Sequence, residues 1–445
     1  MEKSEFTVII VGGSIAGLTL AHCLARAKIN HVVLEKAGNI APQLDIYDEI
    51  QNHIEPLERA IVCYPDGFSF SSFHPKIVHE RFGFPIAFLD RQKLLEILYR
   101  RYPHPERIHL NTKVTSISSA RDEVSVVTAG GNVYRGHLIV GADGVHSRVR
   151  TAMWEQAEQR FHRIIEDEKQ STTVEYACIF GISSGIAGLL VGEQINAFFD
   201  HLTIITIHGK HGRIYWFVIR KLPTKYTYPE GPHFTTDDAA LAAAELRNVR
   251  LYEHITFGHL WDTREVASMT ALEENVFRMW HYDRVVLMGD SVHKMTPNIG
   301  QGANMAIEDA AVLSTLLQQL QNDQTGALPS ADELEPLLQQ FQRIRCKRVR
   351  SIYSMSRLLV RLQARDGILN TLFGRYYVPY AGNLPAEIAS QAIANGEICQ
   401  FLPLSPLKDG WRQYQRGGWI MYLQTLWVIL LVPWISLVMG MLPLW

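Results

Sequence analysis

The sequence has little cysteine, and no spacing pairs what there is. Cys23, Cys63, Cys178, Cys346 and Cys399 stand far apart. A disulfide framework and a clustered metal site are therefore not expected, and a reducing compartment is. An excess of either charge is also missing. Charged residues make up 20% of the chain and the net charge is −2, so no nucleic-acid partner is expected. No leader-like run precedes the first strand-like segment at Phe6, so no signal peptide is expected.

The lack of charge is complete at one place. Trp419 to Trp445 carries no charged residue, with Trp near both ends and Lys408, Arg412 and Arg416 just before it. Such a run is long enough to enter a bilayer, and the basic flank favours a cytosolic position for the preceding domain. The expectation is a membrane partner reached through this tail. Pro433 and Gly440 interrupt it, which leaves a buried hairpin as the alternative.

What is present begins with Phe6 to Glu35. An apolar run, Phe6 to Val11, leads into Gly12-Gly13-Ser14-Ile15-Ala16-Gly17, an apolar-periodic segment and a second strand-like run ending on Glu35. Strand, glycine turn, helix and strand make a dinucleotide-binding unit. Gly12 makes the tight turn, Gly17 lets helix and strand approach, and Ser14 stands where the pattern has its middle glycine. N–H groups at the helix start face a pyrophosphate, and Glu35 is placed to accept from ribose hydroxyls.

Two further strand ends carry acids. Leu138 to Val140 runs into Gly141-Ala142-Asp143-Gly144, with Arg148 and Arg150 beyond, within reach of phosphates. Arg284 to Met288 runs into Gly289-Asp290, followed by Pro297 and Gly300-Gln301-Gly302-Ala303. Asp290 suits a polyol. The proline and glycines allow close backbone approach to a flat ring. A helix from about Asn304 turns its positive end toward that ring. Between Thr151 and Val276 the alternating runs suggest an antiparallel sheet. There Tyr215-Trp216-Phe217 offers aromatic groups to an apolar ligand, with at least one of the three in the sheet core. Asp90 is expected to cap a helix carrying Arg91.

These motifs, in this order, resemble the FAD-dependent monooxygenases of the aromatic hydroxylase type. Within that group the glycine turn, Phe88 to Leu94, Gly289 to Asn298 and the apolar C-terminus are most similar to the fungal membrane-associated epoxidases of meroterpenoid and indole-diterpene biosynthesis. The resemblance implies an α/β, glutathione-reductase-like FAD-binding fold with an inserted antiparallel substrate domain and a hydrophobic helical tail. It implies FAD held by Gly12, Ser14, Gly17, Glu35, Arg91, Asp143, Gly144, Gly289, Asp290, Pro297, Gly300, Gly302 and Ala303, with no metal. It also implies NADPH or NADH as reductant and O2 as co-substrate. Epoxidation of a prenyl alkene would proceed through a C4a-hydroperoxyflavin, and no nucleophilic residue is required. Tyr215 is the candidate proton donor or substrate contact. His293 and Lys294 read rather as structural or flavin contacts. The implied partner is a hydrophobic small molecule, and the implied location is the endoplasmic reticulum membrane.

The expected division gives 1–60, 88–150 and 277–330 to the FAD domain and 61–87 and 151–276 to the substrate domain. Residues 331–380 form C-terminal helices, 381–418 a linker and 419–445 the anchor. The helical stretch is basic (Arg343, Arg345, Lys347, Arg348, Arg350), which reads as a solvated face or as a patch facing anionic lipid. One departure stands out. After Ala41-Pro42-Gln43 the chain runs directly into Leu44-Asp45-Ile46-Tyr47-Asp48, where the family inserts a strand and a turn near the flavin. A hydroxylase acting on a phenol, an inactive paralogue and a membrane-bound dehydrogenase are the rival readings. The last leaves the Gly289-Asp290 block unexplained.

Overall fold

The computed structural model describes residues 5–37, 46–120, 122–323 and 328–403, together with Trp411 and Tyr414. The departure after Gln43 and the apolar tail from Trp419 lie outside the described residues. Among the described residues no helix is long and apolar enough to cross a membrane.

Two sheets organise the chain. The first is built on Thr7–Val11, which pairs in parallel with Asn30–Leu34 and with Leu138–Gly141, so that Ile9 lies opposite Val32 and Ile139. The full order is His281–Tyr282, Val285–Leu287, Leu138–Gly141, Thr7–Val11, Asn30–Leu34 and Ile108–His109. Near-continuous apolar strands such as Val8-Ile9-Ile10 read as buried on both faces, and these three are fully buried. Helices Ile15–Arg26 and Gly302–Asp323 pack against each other beside the sheet. All three acid-bearing ends, at Glu35, Asp143 and Asp290, therefore emerge at the same carboxyl edge of this sheet, where such sheets bind ligands.

The second sheet has eight strands. Thr173–Ser183 pairs antiparallel with Ile214–Thr227 and with Arg264–Val276. Leu202–His208 and Glu193–Phe199 extend it. At its edge Glu193–Phe199 takes Arg59–Cys63 in parallel, and Ser69–Ser72 follows as a hairpin across the Asp66-Gly67 turn. Gly67 has φ +84°, the left-handed conformation such a turn needs. Residues 61–87 thus contribute strands to the sheet expected for the substrate region.

Several boundaries differ from expectation. Within the stretch assigned to the FAD domain, 1–60, helix Ile46–His53 stops short of Pro56, and Arg59 and Ala60 already belong to a strand of the eight-stranded sheet. The helix expected from about Asn304 begins at Gly302. The long helix is Ala331–Gln363, its start fixed by a reciprocal cap between Ser330 and Glu333. The stretch expected as linker contains a helix, Leu384–Ala394, packed on His74–Phe82. Its Pro385 lies in the first turn, where a missing N–H costs nothing.

The basic run is not a uniform surface. Arg343, Lys347 and Arg350 are exposed. Arg345 is fully buried, donating to Asp309 at 2.8 Å and to Glu308 at 2.6 Å, and Arg348 reaches Glu308 at 3.0 Å. Helical periodicity turns these two toward Gly302–Asp323, so neither a solvated face nor a lipid patch accounts for them.

Candidate active site

A single cavity of about 2330 Å³ runs between the two sheets. Its walls include Gly12, Ser14, Glu35, Arg91, Asp143, Gly144, Asp290, Pro297, Gly300, Gly302 and Ala303. Gly17 and Gly289 lie behind the wall, and Tyr215 lies outside it.

The glycine turn is held by steric necessity. Gly12 has φ +109°, and a Cβ there would lie 2.4 Å from the carbonyl oxygen of Ala142. A Cβ on Gly17 would lie 1.9 Å from the carbonyl oxygen of Gly12. Only glycine lets the helix start this close to the strand. Glu35 accepts from the N–H groups of Gly13 at 2.6 Å and Ala37 at 2.7 Å, which fixes its carboxylate beside the turn. Asp90 caps the helix Arg91–Arg100 through Gln92 at 2.8 Å, and Arg91 in turn donates to Ser14 Oγ at 2.9 Å. The serine in the middle glycine position thus anchors a cation across the cavity.

The Asp143 carboxylate faces the cavity but already has four donors. Ser147 Oγ and Ser291 Oγ reach it at 2.5 and 3.2 Å, and the N–H groups of Arg148 and Val149 at 2.7 and 3.2 Å. It is a helix cap at the rim of the site. Of the two arginines expected near phosphates, Arg148 lines the cavity. Arg150 does not: it is buried, donates to the carbonyls of Ser291 and Val145 at 2.7 Å, and lies 4.4 Å over Phe277. The helix beginning at Arg148 turns that position inward.

At the third strand end Lys294 pairs with Asp290 at the cavity wall. Behind them, Asp309 accepts from the N–H of Gly289 at 2.8 Å, from His293 at 2.7 Å and from Arg345. Burial alone pushes the Asp309 carboxyl up, but His293 and Arg345 outweigh it and hold the group at about 2. His293 is therefore part of a buried polar network, in keeping with its structural reading. Beyond this turn, Gly300 at φ +64° and Gly302 both face open space, and the first turn of Gly302–Asp323 opens on the cavity. Open glycines, a helix N-terminus, an acid at each strand end and a bridging arginine form a cradle that fits a flavin dinucleotide.

The opposite wall is apolar. Phe180, Phe198, Ile205, Ile207 and Phe217 project from the eight-stranded sheet, with Gln194, Asn196 and Ser72 among its polar groups. Phe88 closes the chamber, 5.7 Å from Phe217 and 4.7 Å from Tyr215. Tyr215 instead lines a smaller recess with Asp90, Lys93 and Arg213, and Trp216 is fully buried in the sheet core. Of the three adjacent aromatics, only Phe217 faces the chamber. Sequence reasoning missed Phe180 and Ser291. Phe180 is the cross-strand partner of Phe217, so pairing the two best strands would have found it. Nothing in the sequence singles out Ser291.

Comparison with known proteins agrees with this geometry. A family model described as an FAD binding domain matches residues 86–328. The FAD-dependent monooxygenase penM of Penicillium crustosum is 58% identical over 97% of this chain and 94% of its own. The FAD-dependent monooxygenase paxM of Penicillium paxilli is 56% identical over 94% of this chain and 92% of its own. The alignment with the former runs over 450 residues, more than the 445 present here, so that relative carries positions without a counterpart in this chain. Among solved structures, Klebsiella pneumoniae HpxO complexed with FAD and uric acid has a TM-score of 0.70 at 20% identity, covering 88% of this chain and 98% of that one. CtdE in complex with FAD and substrate has a TM-score of 0.62 at 18% identity, covering 81% and 90%. These two share the mixed α/β FAD-binding fold. With FAD as its cofactor, the chain belongs to the FAD-dependent monooxygenases, alongside the fungal enzymes penM and paxM.

Proposed function

We propose that this monooxygenase draws its reducing equivalents from NADPH or NADH and epoxidises an alkene of a prenylated intermediate, meroterpenoid or indole-diterpene, in fungal secondary metabolism. One observation carries the choice of reaction. Seven strands of the eight-stranded sheet contribute to the cavity wall, and the one ionisable side chain they bring there, Lys294, is already paired with Asp290. An electron-rich alkene needs no proton removed before it takes up oxygen. A phenol is activated by ionisation and calls for a base. Elsewhere on the cavity wall, His74 is pushed down to about 4 by burial, too low to serve a phenol.

Bound in the cradle, FAD supplies electron transfer and oxygen activation. The chain's own part is narrower. Glu35 and Arg91 orient the nucleotide end, Asp290 with Lys294 meets the polyol, and the open turn at Gly300 and Gly302 admits the ring. Phe88, Phe180 and Phe217 keep water from the reacting face, which protects a reactive oxygen species from side reaction. Membrane association through Trp419 to Trp445, with this domain on the cytosolic side of the endoplasmic reticulum, belongs to the same proposal. It rests on the composition of that tail and on the apolar chamber, which suits a lipid-partitioned substrate.

The test is NADPH- and NADH-dependent O2 consumption by the FAD-loaded protein, with prenylated indoles and simple phenols offered in parallel. The expected product carries one added oxygen and opens to a diol in acid. A ring-hydroxylated phenol with an untouched prenyl alkene would establish the hydroxylase reading instead.

A further inference from the structure

The cavity opens through an apolar rim. Phe84, Leu358, Leu369 and Ile398 line it and are also exposed to solvent. Around Leu369 the exposure continues outward: Ile368 and Tyr380 are each 78% exposed, and Leu372 and Tyr376 stand beside them. From Gly367 to Ala386 the sequence has one charged residue, Arg375. That residue turns back to the protein, 3.0 Å from Asp66 and 3.6 Å over the ring of Phe68. The segment thus presents apolar and tyrosine side chains outward with no charge among them. A contiguous patch of this kind marks an interaction surface, and tyrosines at its margin suit the level of lipid headgroups.

We propose that this rim, centred on Ile368, Leu369 and Leu372, docks on a lipid bilayer so that substrate passes from lipid directly into the cavity. It rests on the proposed lipid-borne substrate and adds a second contact to the tail. Two observations favour lipid over a second copy of the chain. The rim surrounds a cavity mouth, and two copies meeting there would close each other's entrance. The chain also approaches its uncharged run from the same cavity. Trp411 lines the cavity and packs 5.0 Å from Phe82, and Trp419 follows shortly. Tail and rim together would seat the mouth on the membrane, as interfacial elements do.

The experiment uses the full chain loaded with FAD and vesicles of phosphatidylcholine with one-fifth phosphatidylserine. An environment-sensitive fluorophore is placed through Leu372→Cys and, as control, through Leu241→Cys, a remote exposed apolar position on helix Thr236–Leu246. Label on the native cysteines is measured in the parent protein and subtracted. The expected result is flotation with the vesicles, a blue shift at position 372 and several-fold stronger quenching there by brominated phosphatidylcholine than at 241. Flotation with equal quenching at both positions overturns the rim while leaving tail association intact. A blue shift that grows with protein concentration in the absence of vesicles would identify a contact between copies and overturns it too. Failure to float overturns both this inference and the membrane reading beneath it.

Discussion

The hydroxyl of Ser291 donates to the carboxylate of Asp143 at 3.2 Å while accepting the N–H of Gly144 at 3.0 Å. Two strand ends that lie 148 residues apart are thereby tied into one wall of the cradle. Removing the hydroxyl leaves a backbone N–H near the cavity without its partner. Ser291→Ala is expected to cost about 1 kcal/mol of stability, read as a fall in Tm of roughly 1–2 °C. FAD affinity should fall with it in a fluorescence titration. An unchanged affinity would separate this tie from the flavin site.

Arg345 is fully buried, and Asp309 with Glu308 is its counter-charge. Asp309→Asn keeps the size of the side chain but leaves the guanidinium short of one partner charge. Breaking a buried pair in this way costs about 3–5 kcal/mol. Urea denaturation should show a loss of that size, well beyond the effect of a surface change such as Asp332→Asn.

The same aspartate sets a pH dependence. Its carboxyl is held at about 2 in the folded protein, below its ordinary value. The stabilisation is therefore complete above about pH 4 and is lost as pH falls from there toward 2. The stability gap between the wild type and Asp309→Asn should narrow over that interval, by something on the order of 2 kcal/mol. A gap that stays constant from pH 6 to 3 and then to 2 would contradict the assignment.

Glycines of the cradle should differ sharply in tolerance. At Gly17 an added methyl meets the carbonyl oxygen of Gly12 at 1.9 Å, and both are backbone-bound. Gly17→Ala is expected to cost at least about 1–3 kcal/mol through overpacking and to yield protein without flavin. At Gly300 the methyl meets no protein atom, and within the protein only the positive φ resists it. Gly300→Ala should cost about 1 kcal/mol in the flavin-free protein, which still folds, while its methyl projects toward the space that would admit the ring and lowers the flavin absorbance kept after desalting.

Tyr215→Phe preserves the ring that packs on Phe88, and its hydroxyl does not reach the main cavity. Turnover and flavin spectrum should both stay at wild-type values. Phe88→Ala removes part of the chamber wall itself and should raise KM for an apolar substrate. A large fall in kcat for Tyr215→Phe would return that residue to the chemistry.

The glycine turn, the capping Asp90 and the three acid-bearing strand ends were legible because short-range sterics and hydrogen-bonding demands fix them. Gly12, Gly17 and Gly300 sit where no other residue fits or where φ is positive. Buried ionic groups were not legible. Arg345 sits in a run of basic residues that reads as surface, and only the packing of Ala331–Gln363 on Gly302–Asp323 reveals its partners. Arg150 was misread for the same reason. The double use of Asp143, as site wall and helix cap, was open in the sequence because both roles ask for an acid before a helix. Tyr215 and Phe217 share a strand face, and their division between two recesses follows from where Phe88 lies.

The eight-stranded sheet draws its edge hairpin, Arg59–Cys63 and Ser69–Ser72, from the front of the chain and its neighbour Glu193–Phe199 from far behind. During synthesis at about 5–20 residues per second, the hairpin waits roughly 6–26 s for its partner. Throughout that interval its Glu193-facing edge is unpaired, an open template for other strands. Strand Leu138–Gly141 of the other sheet emerges within that interval, so four of its six strands can pair while the hairpin waits, and Val285–Leu287 with His281–Tyr282 joins only later.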